Sequence, residues 1–328
     1  MEYARLGKTD VKVSRVGLGV WQFSEAWGIT DYSIAKAIVF KALDLGINFF
    51  DTAMVYGLGM SEDFLGKALR EYNVKRDEIV ISTKIPGEYL NPHDIPKAVS
   101  KSLSLLRTNY IDILLAHWPP CWHNYPTCEY ARTMERLVRL GKVKYLGLSD
   151  FPIELIESFR NCLAKEDIVV IQIRYNLLER WAEKELIPYA EKHDISIMAW
   201  SPLAKGALTG KYTPDNLPRF QDVRASDPLF HPRNFIKVWK LVEVLKDLSK
   251  KYERAPAQIA LNWLIMSSPQ IIPITGAKRP EQVIDNAGSV GWRLDFNDWK
   301  LLEELSRSIV IDYSVWYEEY GNKKLHMR

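Results

Sequence analysis

The sequence predicts an α/β fold, a closed (β/α)8 barrel of the TIM type carrying an N-terminal β-hairpin and extra C-terminal helices. Three observations lead there. Short apolar runs alternate with amphipathic stretches eight times along 328 residues. The runs are nearly continuous in apolar character, as in Ile111-Asp112-Ile113-Leu114-Leu115-Ala116, which suits parallel strands covered on both faces. The chain averages about 41 residues per unit, enough for a strand, a helix and the crossover that joins parallel strands.

The elements follow in order. Glu2–Val13, with Gly7-Lys8-Thr9-Asp10 as its turn, is read as a hairpin closing the barrel bottom. Val16–Val20 is the first barrel strand, and Ser33–Leu45 the first helix, with Ile34, Ala37, Ile38, Ala42 and Leu45 on one face and Gly46 as its stop. Ile47–Phe50 precedes Ser61–Tyr72, and Glu78–Thr83 precedes Asp94–Arg107. Ile111–Ala116 precedes Thr127–Leu140, and Val143–Leu148 precedes Ile153–Leu163. Ile168–Ile173 leads to Ala182–His193, and Ser196–Trp200 to the helices Phe235–Tyr252 and Pro256–Met266. Ile271–Ile274 leads to Pro280–Val290. A further helix, Asp298–Ser308, and an aromatic, polar end complete the chain. One domain is expected over residues 1–328, with a long Gly- and Pro-containing loop at about 203–234.

Composition narrows the function classes. Apolar residues are 47% and charged residues 26%, ordinary for a globular chain with a large core. A net charge of +3, spread along the chain, gives no footprint for nucleic acid or a membrane surface. No apolar run reaches the roughly 18 residues of a membrane span, and the N-terminus lacks a secretory h-region. Three cysteines, Cys121, Cys128 and Cys162, do not indicate a disulfide framework, so a reducing cytoplasmic setting is expected. Cys121, His123 and Cys128 cluster, but three candidates without a second close pair fall short of a structural zinc set, and no metal is expected. A doubly wound nucleotide-binding fold would show G-x-G-x-x-G or GxxxxGK[ST]. Gly17-Leu18-Gly19 and Gly57-Leu58-Gly59 complete neither.

Polar residues at strand C-terminal ends are where barrel enzymes place their chemistry. Asp51 follows Asn48-Phe49-Phe50, Lys84 follows Ile79–Thr83, His117 follows Ile113–Ala116, and Tyr56 lies in the loop after Asp51. A phenol is a poor acid at neutral pH, and a nearby ammonium is expected to lower its pKa. An aspartate would hold the lysine, and a histidine would hydrogen-bond a carbonyl oxygen becoming an alkoxide. Each residue alone also has a structural reading, as a helix cap, a solvated rim charge or a packing group. Together they read as acid catalysis of carbonyl reduction, with the hydride drawn from a nicotinamide cofactor.

These residues carry a resemblance. Asp51-Thr52-Ala53-Met54-Val55-Tyr56-Gly57 with Ser61-Glu62, Leu115-Ala116-His117-Trp118-Pro119, Gly147-Leu148-Ser149-Asp150-Phe151 and Ile272-Pro273-Ile274-Thr275-Gly276 resemble the motifs of the aldo-keto reductase family over nearly the whole chain. The resemblance implies that Asp51, Tyr56, Lys84 and His117 form the catalytic set, with Tyr56 as general acid. It implies that Ser149, Asp150 and Gln172 hold the nicotinamide carboxamide and that Trp200 stacks on the ring. Ser201, Leu203, Gly206 and Leu208 would cover the pyrophosphate. Gly276, Ala277, Lys278, Gln282 and Asn286 would take the adenosine end. Lys278 and Arg279 at a helix N-terminus would favour NADPH over NADH, although Arg279 reads equally well as a solvated surface charge.

The family usually has Asn where this chain has Asp150. An Asp accepts from the carboxamide NH2, cannot donate to its oxygen, and adds negative charge beside the ring. Trp21, Phe23, Trp118 and Trp122 are expected at an aromatic substrate mouth, with Met54 and Val55, and at least one of the aromatic residues is expected to pack under a loop. The loop at 203–234 is expected to fold over the cofactor. The expected partner is a small carbonyl or alcohol, and the resemblance implies a monomer. The alternative is a cofactor-holding regulatory subunit with little turnover, similar to potassium-channel beta subunits.

Overall fold

A computed structural model describes residues 1–316. The aromatic, polar end of the chain lies partly outside these residues. Eight parallel strands close into a barrel: β3 (Gly17–Gly19), β4 (Phe49–Asp51), β5 (Val80–Ile85), β6 (Ile111–Ala116), β7 (Val143–Ser149), β8 (Ile168–Arg174), β9 (Ser196–Trp200) and β10 (Ile271–Gly276). β10 pairs with β3 to close the ring, with Gly276 opposite Gly19. An antiparallel hairpin, β1 (Tyr3–Arg5) and β2 (Lys12–Ser14), precedes it.

The outer layer is α1 (Tyr32–Asp44), α2 (Met60–Tyr72), α3 (Asp94–Leu105), α4 (Thr127–Arg139), α5 (Ile153–Cys162) and α6 (Leu186–Lys192). α7 (Pro232–Tyr252) and α8 (Pro256–Ser267) follow β9, and α9 (Pro280–Ala287) follows β10. α10 (Phe296–Ser308) and a short turn at Ser314–Trp316 are the C-terminal additions. α1 shows how local chemistry sets boundaries. The Asp31 side chain accepts from the Ser33 amide at 2.8 Å as N-cap, and Gly46 takes a left-handed φ of 78° where the helix stops.

Two expectations about local structure change. The helix expected over 182–193 is split into a 3-10 turn, Trp181–Glu183, and the shorter α6. Pro188 is the reason: it lacks an amide proton and tolerates only the first turn of a helix. Cys128 and Cys162 form a disulfide between α4 and α5, with Cα atoms 4.9 Å apart. The low cysteine count did not point to a bridge. A count carries no information about two helices packed side by side.

Inside the barrel, side chains alternate between the two faces of each strand. The lower interior is apolar, built from Phe49, Val80, Ile113, Val170, Met198 and Ile272. Leu6 and Val13 of the hairpin region join that cluster and are fully buried, so the hairpin plugs the bottom as expected. Gly7 allows the close fit: its amide donates to Ser196 Oγ at 2.7 Å, its φ is +49°, and a Cβ there would lie 2.5 Å from the Val169 carbonyl oxygen.

The disulfide sets a test. Without reductant, thiol labelling of the folded chain should find one free cysteine, Cys121, and three after reduction and unfolding. Replacing Cys128 and Cys162 with Ser should cost about 2–4 kcal/mol of stability, for the loop they close.

Candidate active site

Moving up the interior by two residues at a time reaches the polar end. Phe49 is followed by Asp51, Val80 by Ser82 and Lys84, Leu115 by His117, Val170 by Gln172, and Met198 by Trp200. Register keeps these ends level: Asp51 lies opposite Ser82 and Gly19, and Ser149 opposite Gln172. They open into a cavity of about 770 Å³ at the C-terminal face.

Lys84 is fully buried. Its ammonium donates to Asp51 Oδ2 at 2.7 Å, to the Thr52 carbonyl at 2.7 Å and to Tyr56 Oη at 3.2 Å. Asp51 Oδ1 accepts from Ser82 Oγ at 2.6 Å and from Gln172 Nε2 at 3.0 Å. Tyr56 is placed by a turn in which Gly57, Leu58 and Gly59 all have positive φ. Trp21 stacks on its ring at 5.8 Å, and His117 meets it edge-on at 5.6 Å. Below, buried Glu62 accepts from Thr83 Oγ1 at 2.6 Å.

Burial works against the Lys84 ammonium, but Asp51 and Tyr56 outweigh it and hold its pKa above the ordinary lysine range. Burial pushes the Tyr56 phenol above its ordinary value; Lys84 pulls it down and Asp51 pushes it up. The expected net lowering of this pKa is therefore not met, because the protein walls around the ring disfavour the phenolate more than one ammonium favours it. Tyr56 is a neutral O–H donor at neutral pH. Burial, with Lys84 second, drives the His117 imidazole well below its usual pKa, so His117 is uncharged. The Asp150 carboxyl is pushed up to about 6, mainly by desolvation, against the Trp200 hydrogen bond and the charges of Lys84 and Arg174.

The cavity wall gathers most of the residues that the sequence singles out. Ser149, Asp150, Gln172 and Trp200 lie along one side. Ser201, Leu203 and Gly206 follow on the next segment, and Gly276, Ala277, Lys278, Gln282 and Asn286 line the far end. Leu208, Trp122 and Met54 lie off the cavity wall. Leu208 is fully buried in the core and does not face the cavity, because the 3-10 turn Ala204–Thr209 carries it inward. Trp122 is 96% exposed and outside the cavity wall. Phe23 is buried and is the aromatic residue of the four that packs away from the mouth, as expected of at least one. Trp21, Trp118 and Val55 remain as mouth residues, while Met54 packs against the core.

Other lining residues were not foreseen. Gln22 and Trp27 follow β3, and Lys211 and Arg224 come from the long segment after β9. Arg224 and Lys278 lie over the Trp27 ring at 5.5 and 5.0 Å. Lys278 Nζ also pairs with Asp222 at 3.2 Å, so the segment at 203–234 is fastened across the cavity end. A second network binds its other part: Asp227 pairs with Lys205 at 2.7 Å and with Arg174 at 3.0 Å. The only sequence signal was the scatter of cations in a segment without periodicity.

The residues fit a nicotinamide cofactor. Gln22 Oε1 and His117 Nδ1 are buried polar atoms without a hydrogen-bond partner among the described residues, and both residues line the cavity. Buried polar atoms in proteins are normally paired, so these are vacant donors and acceptors for a polar ligand.

A buried lysine–aspartate pair, a phenol and a neutral imidazole at the open end of such a barrel define a class of oxidoreductase. Residues 15–307 match the family model described as the aldo/keto reductase family. The chain is 34% identical over 322 residues to the aldo-keto reductase YhdN of Bacillus subtilis, covering 95% of this chain and 96% of that protein. It is 31% identical to the NADH-specific methylglyoxal reductase of Escherichia coli, covering 94% and 99%. The solved glycerol dehydrogenase AKR11B4 from Gluconobacter oxydans superposes with a TM-score of 0.84 at 33% identity, covering 94% and 96%. The chain belongs to the aldo/keto reductase family.

A neutral His117 can be observed directly. Imidazole resonances should show His117 uncharged at pH 5.5, where an ordinary histidine is mostly protonated. The lost charge is the sign of a depressed pKa; an imidazolium at that pH would contradict it.

Proposed function

We propose that the protein is a nicotinamide-dependent reductase of small aldehydes or ketones, with Tyr56 as the proton donor and NADPH as the preferred cofactor. The observation that carries this reading is the 3.2 Å contact between Lys84 Nζ and Tyr56 Oη in a cavity lined by vacant polar atoms. A bound nicotinamide would supply the hydride. Tyr56, neutral and with its oxygen against an ammonium, gives its proton to the oxygen of the reduced carbonyl. Lys84 stabilises the phenolate left behind, and Asp51 keeps Lys84 charged and in place. His117, neutral, offers a hydrogen bond to the same oxygen without adding charge.

Ser149, Asp150 and Gln172 would hold the carboxamide, and Trp200 would offer the ring an aromatic face. Ser201, Leu203 and Gly206 would line the pyrophosphate. The preference for NADPH rests on Lys278 and Arg279 before α9, where a helix N-terminus and two cations favour a phosphate. Arg279 is 67% exposed and only loosely paired with Glu281 at 3.7 Å, which leaves it available. Trp21, Trp118 and Val55 make the substrate side mostly apolar. The complete Asp51–Tyr56–Lys84–His117 arrangement favours turnover over a role confined to holding cofactor.

The test is steady-state oxidation of NADPH and of NADH against a panel of small carbonyls. Turnover with the higher kcat/KM for NADPH is expected; no turnover with any carbonyl would reject the reading. Tyr56→Phe should lower kcat about 10²–10⁴-fold, the range for losing a positioned proton donor, and leave the dissociation constant for NADPH within about threefold.

A further inference from the structure

Two aspartates, Asp51 and Asp150, stand on the Tyr56 side of the cavity, and their surroundings differ. Asp51 is fully engaged by Lys84, Ser82 and Gln172. Asp150 has no direct cation partner among the described residues. Its Oδ1 accepts from the indole N–H of Trp200 at 3.1 Å, and its backbone amide donates to the Gln172 carbonyl at 3.0 Å. The residue has a φ of +54°, a conformation that Asn and Asp tolerate better than other side chains. The backbone would therefore accept either one. The charge, not the shape, is what Asp150 adds to the wall formed with Ser149, Gln172 and Trp200.

That charge acts on one redox form of the ligand. A nicotinamide ring is cationic when oxidised and neutral when reduced; the ribose, pyrophosphate and adenosine parts are identical in both. A carboxylate on the ring's side of the cavity therefore attracts the oxidised form selectively. We propose that Asp150 sets the redox poise of the bound cofactor, holding the oxidised form more tightly than the reduced form. This rests on the nicotinamide reading of the cavity. Two consequences follow. The bound reduced cofactor becomes a stronger hydride donor, because positive charge develops on the ring as the hydride leaves. The oxidised cofactor becomes a tight product inhibitor of carbonyl reduction.

The groups facing Asp150 leave it as the titrating one between pH 5.5 and 8. Lys84 and Arg174 stay cationic, since both have raised pKa values. Tyr56 stays protonated and His117 uncharged. Ser149 and Trp200 do not titrate. The Asp150 carboxyl, pushed up to about 6, is ionised at pH 8 and largely neutral at pH 5.5. The preference for the oxidised form should therefore be present at high pH and fade as pH falls. Phosphate titration cancels in a ratio, since both redox forms carry the same phosphates.

The experiment is calorimetric titration of the full chain with NADP+ and with NADPH, for the wild type and Asp150→Asn, at pH 8 and pH 5.5. The expected result at pH 8 is a ratio of dissociation constants, oxidised over reduced, roughly tenfold higher in the variant, the scale of one charge acting across a partly screened site. Tenfold in that ratio corresponds to about 30 mV in the potential of the bound two-electron couple. In the wild type the ratio should rise towards the variant's as pH falls to 5.5, while the variant's stays flat. Equal ratios in both proteins at pH 8, or a wild-type ratio independent of pH, would overturn the proposal while leaving the nicotinamide reading intact. The pH series needs only the wild type, so it decides even if the variant folds poorly. Failure of the wild type to bind either form would reject the nicotinamide reading, and this proposal with it.

Discussion

Lys84 carries a positive charge into the centre of a barrel where its side chain has no solvent contact, and the aspartate 2.7 Å away makes that tolerable. An unpaired charge in such a place is strongly destabilising. The pair is also saturated: the ammonium reaches the Thr52 carbonyl, and the carboxylate takes donors from Ser82 and Gln172. Much of the site's behaviour follows from it. Tyr56 is fixed because the ammonium has one direction left to donate. His117 is neutral partly because a permanent cation stands nearby. Gln172 is oriented through its contact with Asp51, so the acid side and the proposed cofactor side share a single hydrogen-bonded group.

The barrel supplies the position for that pair. Its lower interior is closed by apolar residues and by the hairpin residues Leu6 and Val13, which leaves polar side chains only one end at which to emerge. Each strand delivers its functional residue as the next inward position above a core residue, so catalytic placement is continuous with core packing. The segment from 203 to 234 then covers the far end of the cavity through ion pairs to Arg174 and Lys278. These pairs join loop to barrel and are partly exposed, so they are weaker and more dependent on salt than the buried one.

Legibility in the sequence tracks periodicity. Asp51, Lys84, His117, Gln172 and Trp200 stand at the ends of apolar runs, where a period of two fixes the face; four of them line the cavity, and Lys84 lies buried behind Asp51 and Tyr56. Tyr56 was visible through its motif, but the direction of its pKa shift was not, since that depends on water excluded by neighbouring strands. Leu208 and Trp122 lie on turns without a period, and there a motif position says little about where a side chain faces. Arg224 and Asp222 escaped notice for the same reason. Pro188 shows the opposite case, a local rule present in the sequence that was outweighed by the pattern around it. The Cys128–Cys162 bridge depends on the packing of α4 against α5, which no spacing along the chain reports.

The most direct test of this account is a double-mutant cycle on Asp51 and Lys84, read as turnover of NADPH with a saturating carbonyl. If the two act as one unit, Asp51→Asn and Lys84→Met should each abolish most turnover, and the double variant should be no worse than Lys84→Met alone, within about 0.5 kcal/mol. Losses that simply add would show that the two residues act independently, and would contradict the ion pair as the interaction on which the site depends.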